Sequence, residues 1–302
     1  MHQGIAMSLI TKPLFLAASA FYRVGYKLHH KLFLRPQPQL STPVVIVGSY
    51  LAGGAGKTPF TVWLAKHFQE QGKKTAVLCH AAAWDELTLL KSQLPDTAIF
   101  ATKNRFATAK EIQNKFDIIL CDDGFEDTRF TGAIRICLDW QEPPTSWTRI
   151  IPAGPFRSLK QDHNDPEIIH IDCFGANGNP PAIGFSIESI TNFAPGTPLA
   201  ATIVCGLGSP KRFIEDVRTF GARSGITIEK SIIRPDHDKQ FQQIIEAELS
   251  KGKDIILSQK DACRLPQSLH THPKIHVTIQ KTTISSKTSE FIDKSLDYTK
   301  KL

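Results

Sequence analysis

The segment Val44-Val-Ile-Val-Gly-Ser-Tyr-Leu-Ala-Gly-Gly-Ala-Gly-Lys-Thr-Pro59 constrains the fold more than any other stretch of the chain. A β-branched run feeds a glycine-rich loop that ends in Gly-Lys-Thr and passes directly into a helical pattern. Buried strand, flexible loop and helix N-terminus, in that order, can cradle the phosphates of a nucleotide. Backbone N–H groups converge on the anion, and the helix dipole adds positive potential. Lys57 can reach the β- and γ-phosphates, and the Thr58 hydroxyl can take one coordination position on Mg²⁺. With them, Gly53, Gly54, Ala55, Gly56 and Pro59 are the expected nucleotide-binding residues. The strict pattern requires a glycine five residues before Gly56, where Leu51 stands; the nearest earlier glycine is Gly48. The strand before it, the three loop glycines and the helix after it separate this loop from a chance triplet.

Periodicity extends the pattern. A helix is expected over Phe60 to Gln71 with Gly72 as its stop, then buried strands over Lys74 to Cys79, Phe116 to Cys121 and Ala133 to Leu138. A helix is also expected over Phe106 to Lys115. Strands alternating with helices predict an α/β fold with a parallel, doubly wound sheet and ligands at the strands' carboxyl ends. A Pro/Gly/Asn-rich stretch from Asn177 to Pro198, broken by a strand-like Ile183 to Ile190, marks a boundary. Beyond it a second α/β pattern follows: strands at Ala201 to Cys205, Thr227 to Ile233 and Asp254 to Ser258, with helices at Pro210 to Arg223 and Phe241 to Lys251. The expected division is an N-terminal helix over 1–35, a phosphate-loop domain over 36–180, a linker over 181–198 and a second α/β domain over 199–302. The Lys/Ser/Thr-rich end from Lys281 is poor in core residues apart from Phe291 and Ile292, and partial mobility is expected there.

The formal net charge of +7 favours an anionic partner, whether nucleic acid, an anionic membrane surface or a phosphorylated substrate. Six cysteines are scattered without a Cys-x-x-Cys pair and several fall in apolar runs, so they read as reduced core residues in a cytosolic setting. Near the N-terminus, Leu14 to Tyr26 is apolar and aromatic and is followed by Lys27, His29, His30, Lys31 and Arg35. About twenty apolar residues are needed to span a bilayer, so this run is too short. A signal peptide would carry its basic residues before the apolar run. Two readings remain: a helix lying in a membrane interface, or an amphipathic helix packed on the domain.

Two groups of residues outside the loop can carry chemistry. Asp122 ends a strand of the sheet that bears the phosphate loop, where an acid can hold a nucleotide's Mg²⁺. Asp123 beside it can share that task or orient the acceptor, although Asp-Gly is also ordinary turn chemistry. In the second domain, His237 lies between Asp236 and Asp238, and a carboxylate beside a histidine can fix its tautomer for general-base work.

Taken together, these residues resemble the tetraacyldisaccharide 4'-kinases of lipid A biosynthesis. The resemblance runs from the N-terminal apolar helix to about Leu265. It rests on Val45 to Pro59, where the family also lacks the first glycine, on Asp85-Glu86, on Asp122-Asp-Gly-Phe125 and on Ile151-Pro-Ala-Gly-Pro-Phe-Arg157. The second domain adds Cys205-Gly-Leu-Gly-Ser-Pro-Lys-Arg-Phe213, Asp236-His237 and Ser258-Gln-Lys-Asp-Ala-Cys-Arg-Leu265. It implies two α/β/α sandwich domains, the first like a P-loop NTPase, with a cleft active site and a membrane-associated N-terminal helix. It further implies ATP- and Mg²⁺-dependent phosphorylation of the 4'-hydroxyl of a tetraacylated glucosamine disaccharide phosphate. The implied setting is peripheral, on the cytoplasmic face of the bacterial inner membrane, with no nucleic acid as partner. Lys57 and Thr58 then bind phosphates and Mg²⁺, Asp122 and Asp123 serve the metal and catalysis, His237 sits in the catalytic loop, and Arg157 stabilises transferring charge.

The chain departs from the family at several positions. Cys79-His-Ala-Ala-Ala83 stands where the family has Ser-Arg-Gly-Tyr-Gly, and Asn104 stands where it has an aspartate. Glu126-Asp127 replaces Gln-His, and Ser158 replaces a glutamate. An amide can orient a group but does not accept a proton at neutral pH. Two readings follow: a kinase using Asp127 or His237 as base, or a nucleotide-binding homologue with lost turnover.

Overall fold

The computed structural model describes residues 11–140, 150–158, 168–173 and 181–299. Residues 1–10 of the expected N-terminal segment, and 174–180 where the expected boundary begins at Asn177, lie outside the described residues. The chain divides into two compact units, one formed by residues 3–184 with 283–302 and the other by residues 185–282.

The first unit opens with helix α1 (Thr11–Phe33) and continues through β1 (Val44–Gly48), α2 (Lys57–Glu70), β2 (Thr75–His80), α3 (Trp84–Gln93), β3 (Ala98–Thr102), α4 (Arg105–Ile112), β4 (Ile118–Asp122), β5 (Ile134–Asp139) and β6 (Ile168–Asp172). Its six strands form a parallel sheet in the order β3-β2-β4-β1-β5-β6. Every residue of β1 and β4 is buried, as expected for central parallel strands covered on both faces. Helix α2 packs Phe60, Leu64, Ala65 and Phe68 onto the sheet, while Ala109 and Ile112 of α4 join Ile46, Leu78 and Ile119 in a core cluster. In the ladder between β1 and β4, Val47 lies opposite Asp122. That register sets Asp122 level with the mouth of the loop that follows β1.

The second unit is built from β7 (Ile183–Ile190), β8 (Leu199–Cys205), α5 (Pro210–Ser224), β9 (Ile226–Ile233), α6 (Phe241–Ser250), β10 (Asp254–Ser258), the short α7 (Gln259–Ala262) and α8 (Gln267–His270), and β11 (Ile275–Ile284). Its five-stranded sheet has the order β7-β11-β10-β8-β9. The last helix, α9 (Ser286–Thr299), returns to the first unit. There it buries Ile292 and Leu296, and Asp293 Oδ1 lies 2.9 Å from His67 Nε2 of α2.

Several differences from the sequence reading have physical causes. The strand-like Ile183 to Ile190 read within the expected linker 181–198 is β7, which joins the second sheet as an edge strand with Ile183 and Ile190 buried. The Lys/Ser/Thr-rich end expected to be mobile is a helix, because Ile292 and Leu296 at i and i+4 give it an apolar stripe. Helix α2 begins at Lys57 rather than Phe60; Pro59 sits in its first turn, where a missing N–H leaves no bond unmade.

Two stability predictions arise here. A Cβ on Gly48 would meet Phe125 Cβ at 2.0 Å and Cγ at 2.6 Å, so the last residue of β1 is a contact point for the loop that follows Asp122. Gly48→Ala is expected to destabilise the protein by about 1–3 kcal/mol, the usual range for overpacking, read as a lower chemical-denaturation midpoint. On α5, burial pushes the Asp216 carboxyl up to about 6, against the pull of Arg212 and reinforced by Glu215. The fold therefore favours the protonated form. The ionised carboxylate weakens the fold above that value, and the effect vanishes below the unfolded value of about 3.9. Asp216→Asn is expected to raise the melting temperature at pH 8 and to leave it unchanged at pH 3.5. Equal melting shifts at both values would count against this.

Candidate functional site: a phosphate loop lined by two aspartates

The loop between β1 and α2 is held from several sides. Ser49 Oγ donates to Leu138 O at 2.7 Å, Ala52 N donates to Pro155 O at 2.8 Å, and Trp140 Nε1 donates to Ala55 O at 3.0 Å. Leu51, which occupies the position of the missing glycine, forms an antiparallel bridge with Phe156 and packs in a cluster with Tyr50, Phe125 and Ile150. A residue in an extended bridge needs no left-handed backbone, and an apolar side chain there fastens the loop to the 150–158 segment. Left-handed backbone occurs instead at Gly54 (φ 68°) and Gly56 (φ 82°). Gly56 is the N-cap of α2 and supplies no side-chain cap, and the first turn carries no acidic residue. The leading N–H groups of α2 thus face the loop as an anion-binding end.

The acids expected at the end of β4 are both in this site. Asp122 is 1% exposed and accepts from Thr58 Oγ1 at 2.9 Å and from Thr61 Oγ1 at 3.0 Å. Burial pushes its carboxyl up to about 6, reinforced by Glu86 and Asp123 and opposed by the two threonine hydroxyls. Asp123 has a positive φ of 61° and turns its carboxylate toward cations. Arg157 Nη1 donates to its Oδ2 at 3.1 Å, and Lys57 Nζ lies 3.8 Å from the same oxygen. Burial alone would raise its pKa, but Lys57, Arg157, the Gly124 N–H and Arg105 hold the carboxyl at about 2. Neighbouring aspartates thus have opposite characters: one costly to ionise and hydroxyl-bonded, the other permanently ionised and paired with cations.

Further residues join the site that periodicity could not place. Arg105, at the start of α4, donates from Nη2 to the Asp122 carbonyl at 3.0 Å. Glu126 is raised by burial and lies in the field of Arg157, Asp123 and Lys57, beside Tyr26 of α1. Helix α1 is anchored nearby: Ser19 Oγ donates to Ile150 O at 3.0 Å and accepts from Ala153 N at 3.1 Å. On another side of α1, Leu14, Phe21, Val24, Leu28 and Leu32 are exposed, and their spacing of seven, three, four and four residues makes one stripe. No helix among the described residues is long and apolar enough to cross a membrane.

Two of the departing residues have structural partners. Asn104 is the N-cap of α4; its Oδ1 accepts from Ala107 N at 3.2 Å and from Arg129 Nη1 at 3.0 Å. Asp127 is gripped by the same arginine, through Nη2 at 2.6 Å and Nε at 2.8 Å. Both carboxylate oxygens of Asp127 are thus engaged by one guanidinium in a bidentate pair, which turns the side chain toward Arg129.

His237 belongs to the second unit, in the loop after β9, with φ 58°. Its Nε2 is 3.9 Å from Asp236 Oδ1, too long for the hydrogen bond expected to fix its tautomer. Each flanking acid is instead held by an arginine: Asp236 by Arg264, and Asp238 by Arg234 Nε at 2.5 Å. Arg264 Nη1 also donates to Gly206 O at 3.1 Å, and buried Asp261 accepts from Gly206 N at 3.2 Å and Ser258 Oγ at 2.8 Å. The second-domain motifs found in the sequence therefore converge on one network that fixes the loop bearing His237.

A parallel sheet, a glycine loop entering a helix at Gly56-Lys57-Thr58 and an acid at the end of the neighbouring strand define a protein of the phosphate-loop class. The model of the Tetraacyldisaccharide-1-P 4'-kinase family matches residues 11–81 and 79–297, and the chain belongs to this family of lipid A biosynthesis kinases. A tetraacyldisaccharide 4'-kinase of Chlamydia caviae is 27% identical, covering 80% of this chain and 77% of the relative. One from Halorhodospira halophila is 26% identical over 83% of this chain and 84% of its own length. Among solved structures, the "apo" form of LpxK from Aquifex aeolicus in complex with ATP has the same fold, with a TM-score of 0.62. It is 18% identical, and the match covers 96% of this chain and 98% of that one.

Proposed function

We propose that this chain transfers the γ-phosphoryl group of ATP, with Mg²⁺, to the 4'-hydroxyl of a tetraacylated glucosamine disaccharide 1-phosphate. The observation that carries this reading is the contrast between the paired aspartates beside Lys57. The N-terminus of α2, Gly53 to Gly56 and Lys57 hold the phosphates, with Pro59 in the same turn. Thr58 and Asp122 fit a hard cation, because a hydroxyl and a buried carboxylate already meet at 2.9 Å and both offer oxygen. When bound there, Mg²⁺ neutralises charge on the phosphates. Asp123, ionised and paired with Lys57 and Arg157, keeps those two cations aimed at the loop, and Arg157 stabilises charge on the transferring group. At about 2 its carboxyl is too weak a base to take the acceptor's proton. His237, weighed above with Asp127 as the base, is the proposed acceptor of that proton. A loose phosphoryl-transfer transition state depends on positioning and cations more than on the base, which suits a site where Asn104 stands for an acid.

The exposed stripe of α1 supports peripheral attachment to the cytoplasmic face of the inner membrane, where an acylated acceptor resides; nucleic acid is not among the proposed partners. The test is incubation of the purified protein with Mg²⁺, ATP and the acylated disaccharide 1-phosphate in mixed micelles, with complementation of a strain depleted of its 4'-kinase. A 4'-phosphorylated product and restored growth are expected. The second reading, a nucleotide-binding homologue without turnover, is favoured by the structural engagement of Asn104. Nucleotide binding without product from a stably expressed protein would establish it and overturn the first.

A further inference from the structure

We propose that Cys137, Asp139 and His170 form a binding site for a divalent d-block cation of the zinc class, separate from the oxygen site at Thr58 and Asp122. The backbone prepares it. Cys137 and Asp139 are two residues apart on β5 and so face the same side of the sheet. His170 lies directly opposite Cys137 in the parallel ladder between β5 and β6. Three side chains from two neighbouring strands are thereby brought to one face by regular strand geometry, with no loop needed to gather them.

The donor atoms are already close. Cys137 Sγ, an Asp139 carboxylate oxygen and a His170 ring nitrogen all lie within 4.8 Å of one another. Cys137 Sγ is 3.3 Å from Asp139 Oδ1, and His170 Nδ1 is 2.9 Å from Asp139 Oδ2. Tetrahedral zinc with ordinary bond lengths separates its donors by roughly 3.3–3.6 Å, so shifts of a few tenths of an ångström suffice for these pairs. Thiolate, imidazole and carboxylate together select zinc-class ions over Mg²⁺ or Ca²⁺. Cys137 is fully buried whereas the His170 side chain is 27% exposed, which gives the ion an entry side and leaves a fourth position for water. On binding, the Cys137 S–H proton is released to solvent and the sulfur becomes a thiolate ligand. The site adjoins the phosphate loop: the Tyr50 ring is 6.2 Å from the His170 ring, and Trp140, next to Asp139, donates to Ala55 O at 3.0 Å.

The test uses the full-length protein, stripped with a chelator and titrated with Co²⁺ in the absence of nucleotide. One Co²⁺ per chain, intense tetrahedral visible bands and a thiolate-to-cobalt band in the near ultraviolet are expected, all displaced by Zn²⁺. Cys137→Ser is expected to abolish the thiolate band, His170→Gln to weaken Co²⁺ binding by roughly tenfold or more, and Cys263→Ser to change neither. A wild-type spectrum without the thiolate band would overturn the proposal and leave Asp139 as a plain hydrogen-bond acceptor for both neighbours. Persistence of the band in Cys137→Ser would do the same. If Cys137→Ser does not fold, unchanged Co²⁺ affinity in His170→Gln, at the exposed side of the site, decides against it.

Discussion

Lys57→Ala is expected to lower 4'-phosphorylation by at least about 10²–10³-fold, the usual effect of removing one preorganised charge from a transferring group. The lysine lies in the first turn of α2 with 12% of its side chain exposed and its Nζ 3.8 Å from Asp123 Oδ2. Its removal takes away a cation at the phosphates and leaves Asp123 balanced chiefly by Arg157. Two measurements separate these effects. Single-turnover rates at saturating ATP report the loss at the transferring group. The Asp123 carboxyl, held at about 2 with Lys57 present, is expected to titrate higher in the variant. Turnover within tenfold of the parent protein would remove Lys57 from the site's chemistry. Circular dichroism should be unchanged and melting should fall modestly, because the variant loses a side chain that is only 12% exposed and one of the cations paired with Asp123.

Asp122→Asn is expected to separate stability from activity. The parent carboxylate is 1% exposed and titrates at about 6, because burial disfavours its charge more than two threonine hydroxyls stabilise it. Since the folded value lies above the unfolded value of about 3.9, ionisation weakens the fold above about pH 6, and the effect is absent below about pH 4. The neutral amide removes that penalty, so without Mg²⁺ the variant should melt higher than the parent at pH 8. At pH 3.5 the two should melt alike. Its kinase activity should fall by about 10²–10³-fold, because an amide is a poor ligand for a hard cation that also needs Thr58. A variant that keeps Mg²⁺-dependent turnover would show that Asp122 is a structural acceptor for Thr58 and Thr61 rather than a metal ligand. Stored strain of this kind, relieved by removing a functional group, is the expected signature of a site selected for chemistry.

Much of this site was legible in the chain because its residues sit at fixed places in a βα unit. A β-branched run, three glycines and Gly-Lys-Thr specify strand, loop and helix by local propensity, and Asp122 follows from a buried strand of matching length. The two-unit α/β organisation was legible for the same reason. What periodicity missed has particular causes. Strand β3 is short and only half-buried, so Ala98 to Thr102 carries a weak apolar signal. Strand β7 was read with its bounds, Ile183 to Ile190, but not its place at the edge of the second sheet, which depends on pairing far along the chain. Helix α9 was hidden by a polar composition in which Ile292 and Leu296 are the buried side chains among those described. The partnerships of Asn104 and Asp127 with Arg129 were unreadable, since nothing local joins residue 104 to residue 129.

The sequence by itself determined that a glycine loop and a helix N-terminus would meet at 53–59 and that an acid would stand on a neighbouring strand, because both depend on short-range geometry. Only the tertiary structure decided which of the two aspartates carries which character. The register of β4 against β1 buries Asp122 under Thr58 and Thr61, while a left-handed residue at 123 turns the next carboxylate toward Lys57 and Arg157. The same applies to Leu51, whose side chain replaces a glycine because the 150–158 segment folds back to bridge it. Burial and charge at one carboxylate are set by residues far away in sequence, and those distances close only when the sheet forms.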